Sequence, residues 1–287
     1  MRVLVTGAAG RIGRAVLALL AERGIPAHAL TLEDPGGLPA ERVIRGDAGD
    51  VKAARAAVAG VDAVIHLAAI PVPTLNPPEE VFGNNTLATF TVLEQAGAAG
   101  VRRVCLASSY AITGLPFAAG WLRPAYLPVD DDLPSQAEDP YALSKQVDEL
   151  TARMMARRHG MGVIALRLPF VGGRDGRLRA FAAECAEDPG LAASSMWAYL
   201  ETRDAARACL AALDAVRPGE VHAVHLAAPL TLVPYPTEPL LRRYYPGVEV
   251  RRPLPGRAVP IDTSRGDRLL GFRPEYRLPL VDRELPE

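Results

Sequence analysis

VLVTGAAGRIGRAV runs from Val3 to Val16. An apolar run, Val3 to Thr6, meets Gly7 at once. Apolar positions then return at Ile12, Ala15, Val16, Leu19 and Leu20, the spacing of one helix face, until Gly24 stops them. The stretch predicts a buried strand, a glycine turn and a helix. Gly7, Gly10 and Gly13 occupy the turn with GxxGxxG spacing. Gly7 permits a tight turn, Gly10 lets the backbone approach a diphosphate, and Gly13 lets the helix close on the strand. The start of such a helix offers unpaired N–H groups and the positive end of its dipole to phosphates.

The same rhythm continues outward. Strands are expected at Ala27–Leu32, Arg42–Asp47, Ala63–Ala69, Arg103–Ser108 and Gly162–Leu168, with helices at Val51–Gly60, Val81–Gly100 and Pro140–Gly160 between them. Alternating strands and helices imply right-handed crossovers and a parallel sheet. The fold class expected is α/β, a Rossmann-type doubly wound parallel sheet. Residues 1–168 form its dinucleotide-binding domain. Residues 169–287 read mostly as a small irregular substrate lobe, with about 200–228 returning to the main domain as a helix and a strand. Prolines crowd Pro229 to Pro260 and periodicity fails there. Ligands on such sheets sit at the carboxyl ends of the strands.

Composition excludes several classes. Net charge is −1, so no basic field draws nucleic acid or an anionic membrane. No apolar run reaches the roughly 20 residues of a membrane span, and the N-terminal run lacks the basic leader of a signal peptide. Cys105, Cys185 and Cys209 fit neither a disulfide framework nor a CxxC metal site, and a reducing cytoplasm is the expected setting. No metal site is expected: His222 and His225 would point to opposite faces of a strand. His66 reads as a satisfied core histidine and Asp130–Asp132 as a solvated loop. Phe117, Trp121 and Tyr126 either cover a substrate or pack the loop before Tyr141.

Among 32 cationic residues only Lys52 and Lys145 are lysines. Lys145 stands four residues after Tyr141 in DPYALSK, so the two share a helix face. An ammonium beside a phenol stabilises phenolate, and the positive end of a helix acts in the same direction. Such a phenol exchanges a proton with a hydroxyl or carbonyl. Lysine suits the task because it is a compact charge with three donors. Ser108 and Ser109 end a strand at the same edge, where a hydroxyl can polarise a reacting oxygen.

Glycine loop, strand-end serine and Y-x-x-x-K in this order resemble the short-chain dehydrogenase/reductase superfamily, and within it the extended, NAD-dependent epimerase/dehydratase family. VLVTGAAGRIGRAV, GVDAVIHLAA, NNTLATFTVLEQA, VCLASS, DPYALSK, LRLP and IDTSRGDRLLGFRP all look like family landmarks. The resemblance implies that Tyr141 is the acid/base, Lys145 its tuner and ribose ligand, and Ser109 the catalytic hydroxyl. It implies a cofactor site of Gly7, Ala9, Gly10, Arg11, Ile12, Gly13, Glu33, Asp47, Ala48, Leu67, Ala68, Ala69, Asn85, Ala107, Ser108, Tyr141, Lys145 and Pro169. The residues leave NAD and NADP open. Glu33 and Asp34 come late for a ribose ligand and read equally well as a solvated turn, whereas Arg11 can reach a 2′-phosphate.

Two departures narrow the chemistry. Family dehydratases carry an acidic pair where Tyr110 and Ala111 stand here. Many nucleotide-sugar epimerases carry asparagine near Phe170. The expectation is an NAD(P)-dependent oxidoreductase acting on a secondary hydroxyl or ketone of a small sugar-like or polyol substrate, with loose likeness to uronate dehydrogenases. A redox-neutral epimerase and a non-catalytic dinucleotide sensor are the alternatives. A homodimer through the helices of Asn85 and Tyr141 is expected by analogy.

Overall fold

In the computed structural model, which describes residues 1–173 and 176–286, strand β1 (Val3–Thr6) is buried along its whole length. An apolar run without alternation suits a central parallel strand covered on both faces. Helix α1 (Arg11–Glu22) follows and buries Gly13, Val16, Leu17 and Leu20. Then come β2 (Ala27–Thr31), β3 (Arg42–Arg45), α2 (Val51–Val58), β4 (Ala63–His66), α3 (Pro78–Ala98) and β5 (Arg103–Ser109). The short β6 (Tyr126–Leu127) interrupts the long connection to α4 (Pro140–His159), which leads into β7 (Gly162–Leu168). Beyond it lie β8 (Phe170–Gly172), α5 (Arg177–Glu187), β9 (Tyr199–Glu201), α6 (Thr202–Ala215), β10 (Val221–His225), α7 (Thr237–Tyr244), β11 (Glu249–Val250) and α8 (Ser264–Leu270).

Seven strands form one parallel sheet in the order β10-β7-β5-β4-β1-β2-β3. Residues of α1, α6 and α8 pack one face, and residues of α2, α3 and α4 pack the other. The fold is therefore the doubly wound α/β sheet that the alternation predicts. The order of strands reverses between β1 and β4, which opens a crevice at their carboxyl ends.

A separate apolar cluster holds the C-terminal segments together. Trp197 and Tyr199 lie at its centre, with Leu240, Leu241 and Tyr245 around them. A small parallel pair of β8 with β9 lies within this part, and the pair of β6 with β11 stitches it to the connection before α4. Within 200–228, α6 packs against α1 and β10 pairs with β7. Arg174, Asp175 and Glu287, within the 169–287 stretch, lie outside the described residues.

Some elements depart from expectation. β4 stops at His66 rather than Ala69, because the next amides leave the ladder: Leu67 and Ala68 donate to the Thr6 hydroxyl at 3.1 and 3.2 Å. α5 and α7 arise where no periodicity was legible; α7 has eight residues and buries only Thr237, Leu240 and Leu241. Asp130–Asp132 is not a solvated loop. Asp130 accepts from the Tyr126 hydroxyl at 2.7 Å and Asp131 accepts the His225 N–H at 2.6 Å, while Asp132 alone faces water. Burial pushes the Asp131 carboxyl up to about 6. The C-terminal tail is tied down by buried Asp204, which accepts the amides of Glu275 and Tyr276 at 2.9 and 2.8 Å.

Candidate active site

The glycine turn is close-packed. Gly7 adopts φ +60, and a Cβ there would meet the backbone of Leu67 at 2.8 Å. A Cβ on Gly13 would stand 2.4 Å from the Gly7 carbonyl oxygen and 2.8 Å from Ala8 Cα. At Gly10 only the Gly7 oxygen, at 3.0 Å, is near; the rest of that side is open. Gly10 is the N-cap of α1, with no side-chain cap and no acidic residue in the first turn. The neighbouring helices α2, α4 and α6 are capped by Asp50, Asp139 and Glu201. Ile12 packs inward against the core, Ala9 accepts from Arg14 Nε at 2.8 Å through its carbonyl, and Arg11 is exposed.

The rim of the crevice holds the other expected residues. Thr31 ends β2 and its hydroxyl donates to the Glu33 carbonyl at 2.9 Å, leaving the Glu33 side chain exposed. Asp34 is engaged in its own turn, accepting the Gly36 amide at 2.9 Å. Asp47 does the same for Gly49 at 2.7 Å, beside buried Ala48. Leu67, Ala68 and Ala69 form the partly open loop after β4, and Pro169 follows β7.

The catalytic candidates stand on α4 and at the end of β5. Asp139 caps α4 by accepting the Ala142 amide at 2.8 Å, and Pro140 occupies its first turn. Tyr141 therefore sits at the positive end of the helix. It packs against Ile70, Val81 and Ala111, with Phe117 edge-on at 6.0 Å between centroids. Its hydroxyl bonds to none of the described residues and, unlike that of Tyr110, is not enclosed. Lys145 is 3% exposed, with Nζ 5.8 Å from the Tyr141 ring centroid. Nζ donates to the Ala107 carbonyl at 3.0 Å and to Asp148 Oδ2 at 3.1 Å. The first bond ties α4 to β5, two residues before Ser109. Ser109 Oγ accepts the Ala111 amide at 3.1 Å, so its own proton has no acceptor among the described residues.

Two expected cofactor residues turn their side chains elsewhere. Ser108 points to the opposite face from Ser109 and donates to Glu149 at 2.7 Å. Glu149 in turn receives the Arg167 guanidinium at 3.0 and 2.9 Å. Asn85 is fully buried; it accepts the Ile70 amide at 2.8 Å and donates to the Ile70 carbonyl and the Ser144 hydroxyl, both at 3.1 Å. It holds the loop after β4 in place. Asp148 and Thr89 were not read from the sequence, and Thr6 was legible only as a strand end at the crevice. Asp148 was visible only as an acid three residues beyond Lys145. Thr6 accepts two amides, so its proton goes to His66 Nδ1 at 2.8 Å, which leaves Nε2–H to donate to Thr89 at 3.2 Å. Burial, then the charge of Lys145, depresses the His66 ring to about 3 and keeps it neutral.

The sequence model of the NAD-dependent epimerase/dehydratase family matches residues 3–227. The chain belongs to this family. Among its relatives, a UDP-glucose 4-epimerase of Azospirillum brasilense is 33% identical over 187 residues, 61% of this chain and 50% of that protein. A uronate dehydrogenase of Pseudomonas putida is 34% identical over 172 residues, 58% of this chain and 60% of that protein. The match thus spans only about half to three-fifths of either relative. A short-chain dehydrogenase/reductase superfamily protein of Agrobacterium tumefaciens, solved with bound NAD, superposes with a TM-score of 0.69 at 26% identity, over 96% of this chain and 93% of that one.

The cradle fits the dinucleotide this family takes. The N-terminus of α1 lacks any side chain to satisfy its amides, and the open side of Gly10 is the space that a Cβ would fill. The two glycines therefore separate fold from binding. Gly10→Ala should change stability by no more than about 1 kcal/mol yet weaken NAD binding at least about tenfold. Gly13→Ala should destabilise the protein by about 3 kcal/mol or more, because its methyl meets backbone. Thermal unfolding and titration calorimetry with NAD read the two effects; equal losses from both variants would contradict the assignment.

Proposed function

We propose that this protein is an NAD(P)-linked oxidoreductase acting on a secondary hydroxyl or ketone of a small sugar-like or polyol substrate. The observation that carries it is the Lys145–Ala107 bond, which holds the ammonium and the Tyr141 ring beside the strand end that bears Ser109. In the oxidising direction Tyr141 takes the proton of the substrate hydroxyl. Ser109 donates its unused proton to the same oxygen, and Lys145 favours phenolate and uses its remaining donor on a ribose hydroxyl. The bound nicotinamide supplies the hydride acceptor. Gly7 to Gly13 cradle the pyrophosphate. Glu33 and Arg11, both exposed near the adenosine end, set the choice between NAD and NADP.

The walls beside Tyr141 and after β7 bear on substrate size. Phe170 stands near where many epimerases carry asparagine, stacked on Phe181 at 4.7 Å and under Arg177 at 5.1 Å. Phe117 and Ile70 flank Tyr141. These apolar rings favour a small uronic acid, aldose or polyol over a nucleotide sugar. Residues 1–168 then serve the cofactor and the apolar cluster after Pro169 serves the substrate. The three free, buried cysteines suit a cytoplasmic protein. No helix among the described residues is long and apolar enough to cross a membrane. The epimerase alternative draws its support from the A. brasilense relative.

The test is turnover by the purified protein with NAD or NADP and a panel of uronic acids, aldoses and polyols. Net formation of reduced nicotinamide is expected, and Tyr141→Phe should lower kcat by about 10² to 10⁴ with NAD affinity retained. Product without net reduction would instead mean an epimerase. NAD binding with no turnover of any substrate in the panel, in the wild type and in Tyr141→Phe alike, would favour the dinucleotide sensor.

A homodimer is part of the same proposal. α3 and α4 pack side by side, and Leu87, Phe90, Leu143 and Leu150 on them remain about half exposed, between 45% and 58%. Sedimentation should give a dimer, and Phe90→Glu with Leu150→Glu a monomer; a monomeric wild type would contradict the pairing.

A further inference from the structure

Asp148 is wholly buried, and the chemistry proposed above makes no use of it. Tyr141, Lys145 and Asp148 stand at i, i+4 and i+7 of α4, one stripe of the helix. Oδ2 of Asp148 accepts from Lys145 Nζ at 3.1 Å; Oδ1 has no hydrogen-bond partner. Burial pushes this carboxyl up, while the ammonium, followed by the nearby Thr89 hydroxyl, pulls it back towards its ionised form. Burial also works against the charge of Lys145, but Asp148, then Tyr141 and Glu149, outweigh it and the ammonium is held more firmly than in water.

The other groups around the pair are already committed. Glu149, on the same helix, is held by Arg167 of β7 and by Ser108. His66 of β4 is neutral, and β5 contributes the Ala107 carbonyl. From α3 comes the Thr89 hydroxyl, bonded to His66. Asp139 caps α4 at the end that bears Tyr141. Asp148 is therefore the one acid among the described residues in direct contact with the ammonium.

We propose that Asp148 is a positioning residue that fixes Lys145 Nζ against β5 and offsets part of the pull of the ammonium on the Tyr141 phenol. Without Asp148, the field of the ammonium would reach the phenol unopposed. With Asp148 beside it, Lys145 keeps its place and its donors, but its field at the phenol is weakened. Of its three N–H bonds, Ala107 and Asp148 take two and aim the third. The inference rests on the roles given above to Tyr141 and Lys145, but the ion pair exists whether or not sugars are turned over.

The experiment needs no substrate. Tyrosinate ultraviolet absorbance is titrated with pH in the full-length protein and in its Tyr141→Phe variant; the difference isolates one phenol among eight tyrosines. The pair of titrations is repeated with Asp148→Asn, which keeps an acceptor for Nζ and removes the charge. The transition assigned to Tyr141 should move to lower pH by about one unit, the scale expected for removing one nearby negative charge in a partly buried site. A midpoint that stays in place, or rises, overturns the proposal. If Asp148→Asn does not fold, Asp148→Ser carries the same comparison. Where turnover is measurable, the acidic limb of kcat/KM should move down with the titration. Loss of turnover in Tyr141→Phe is a separate result, so failure of the catalytic reading cannot be mistaken for failure of this one.

Discussion

A lysine that is 3% exposed must be neutralised and hydrogen-bonded, and much of the site follows from that need. At 3.1 Å from Asp148, attraction amounts to about 5 kcal/mol at an effective dielectric constant of about 20. Removing each ion from water costs several kcal/mol, so the pair is close to break-even as a source of stability. What it contributes is place. The ammonium is bound to β5 through Ala107 and to its own helix through Asp148, and cannot move without leaving a buried charge unpaired.

The backbone around that charge is arranged to receive something larger than a side chain. β1, β4, β5 and β7 end at one edge, and the loops leaving them are held by buried hydroxyls and amides: Thr6 for the loop after β4, Asn85 for Ile70, Ser109 for the turn after β5. Each is a short polar side chain whose partners are backbone groups that would otherwise be orphaned. The start of α1, by contrast with α2 and α4 on the other face, has no side-chain cap. A neutral His66 beneath the site keeps a second positive charge away from Lys145.

Much of this was legible in the sequence because it depends on local rules. Gly7, Gly10 and Gly13 announce a turn, and the alternation of strand and helix patterns gives a parallel sheet. Tyr141 and Lys145 are four apart on a helix whose cap, first proline and terminal glycine are all written in the chain. What was not legible depends on contacts distant in sequence. Nothing local tells Ser108 from Ser109; the facing Glu149 and Arg167 decide it. Asp131 looks solvated until the amide of His225, 94 positions away, is found on its carboxylate. Asp148 carries no local signal, because its partner Lys145 could equally have faced water. α7 is too short to carry a period of its own, and the Trp197–Tyr245 cluster is what makes it a helix.

The proposed function would place a nicotinamide ring over the crevice beside Tyr141, with its ribose on Lys145. A crystal structure of the protein with NAD tests it most directly. Expected are the pyrophosphate on the Gly7–Gly13 turn, the nicotinamide between Tyr141 and Pro169, and a ribose hydroxyl bonded to Nζ of Lys145. A dinucleotide bound elsewhere, or a nicotinamide turned away from the Tyr141 phenol, would contradict it.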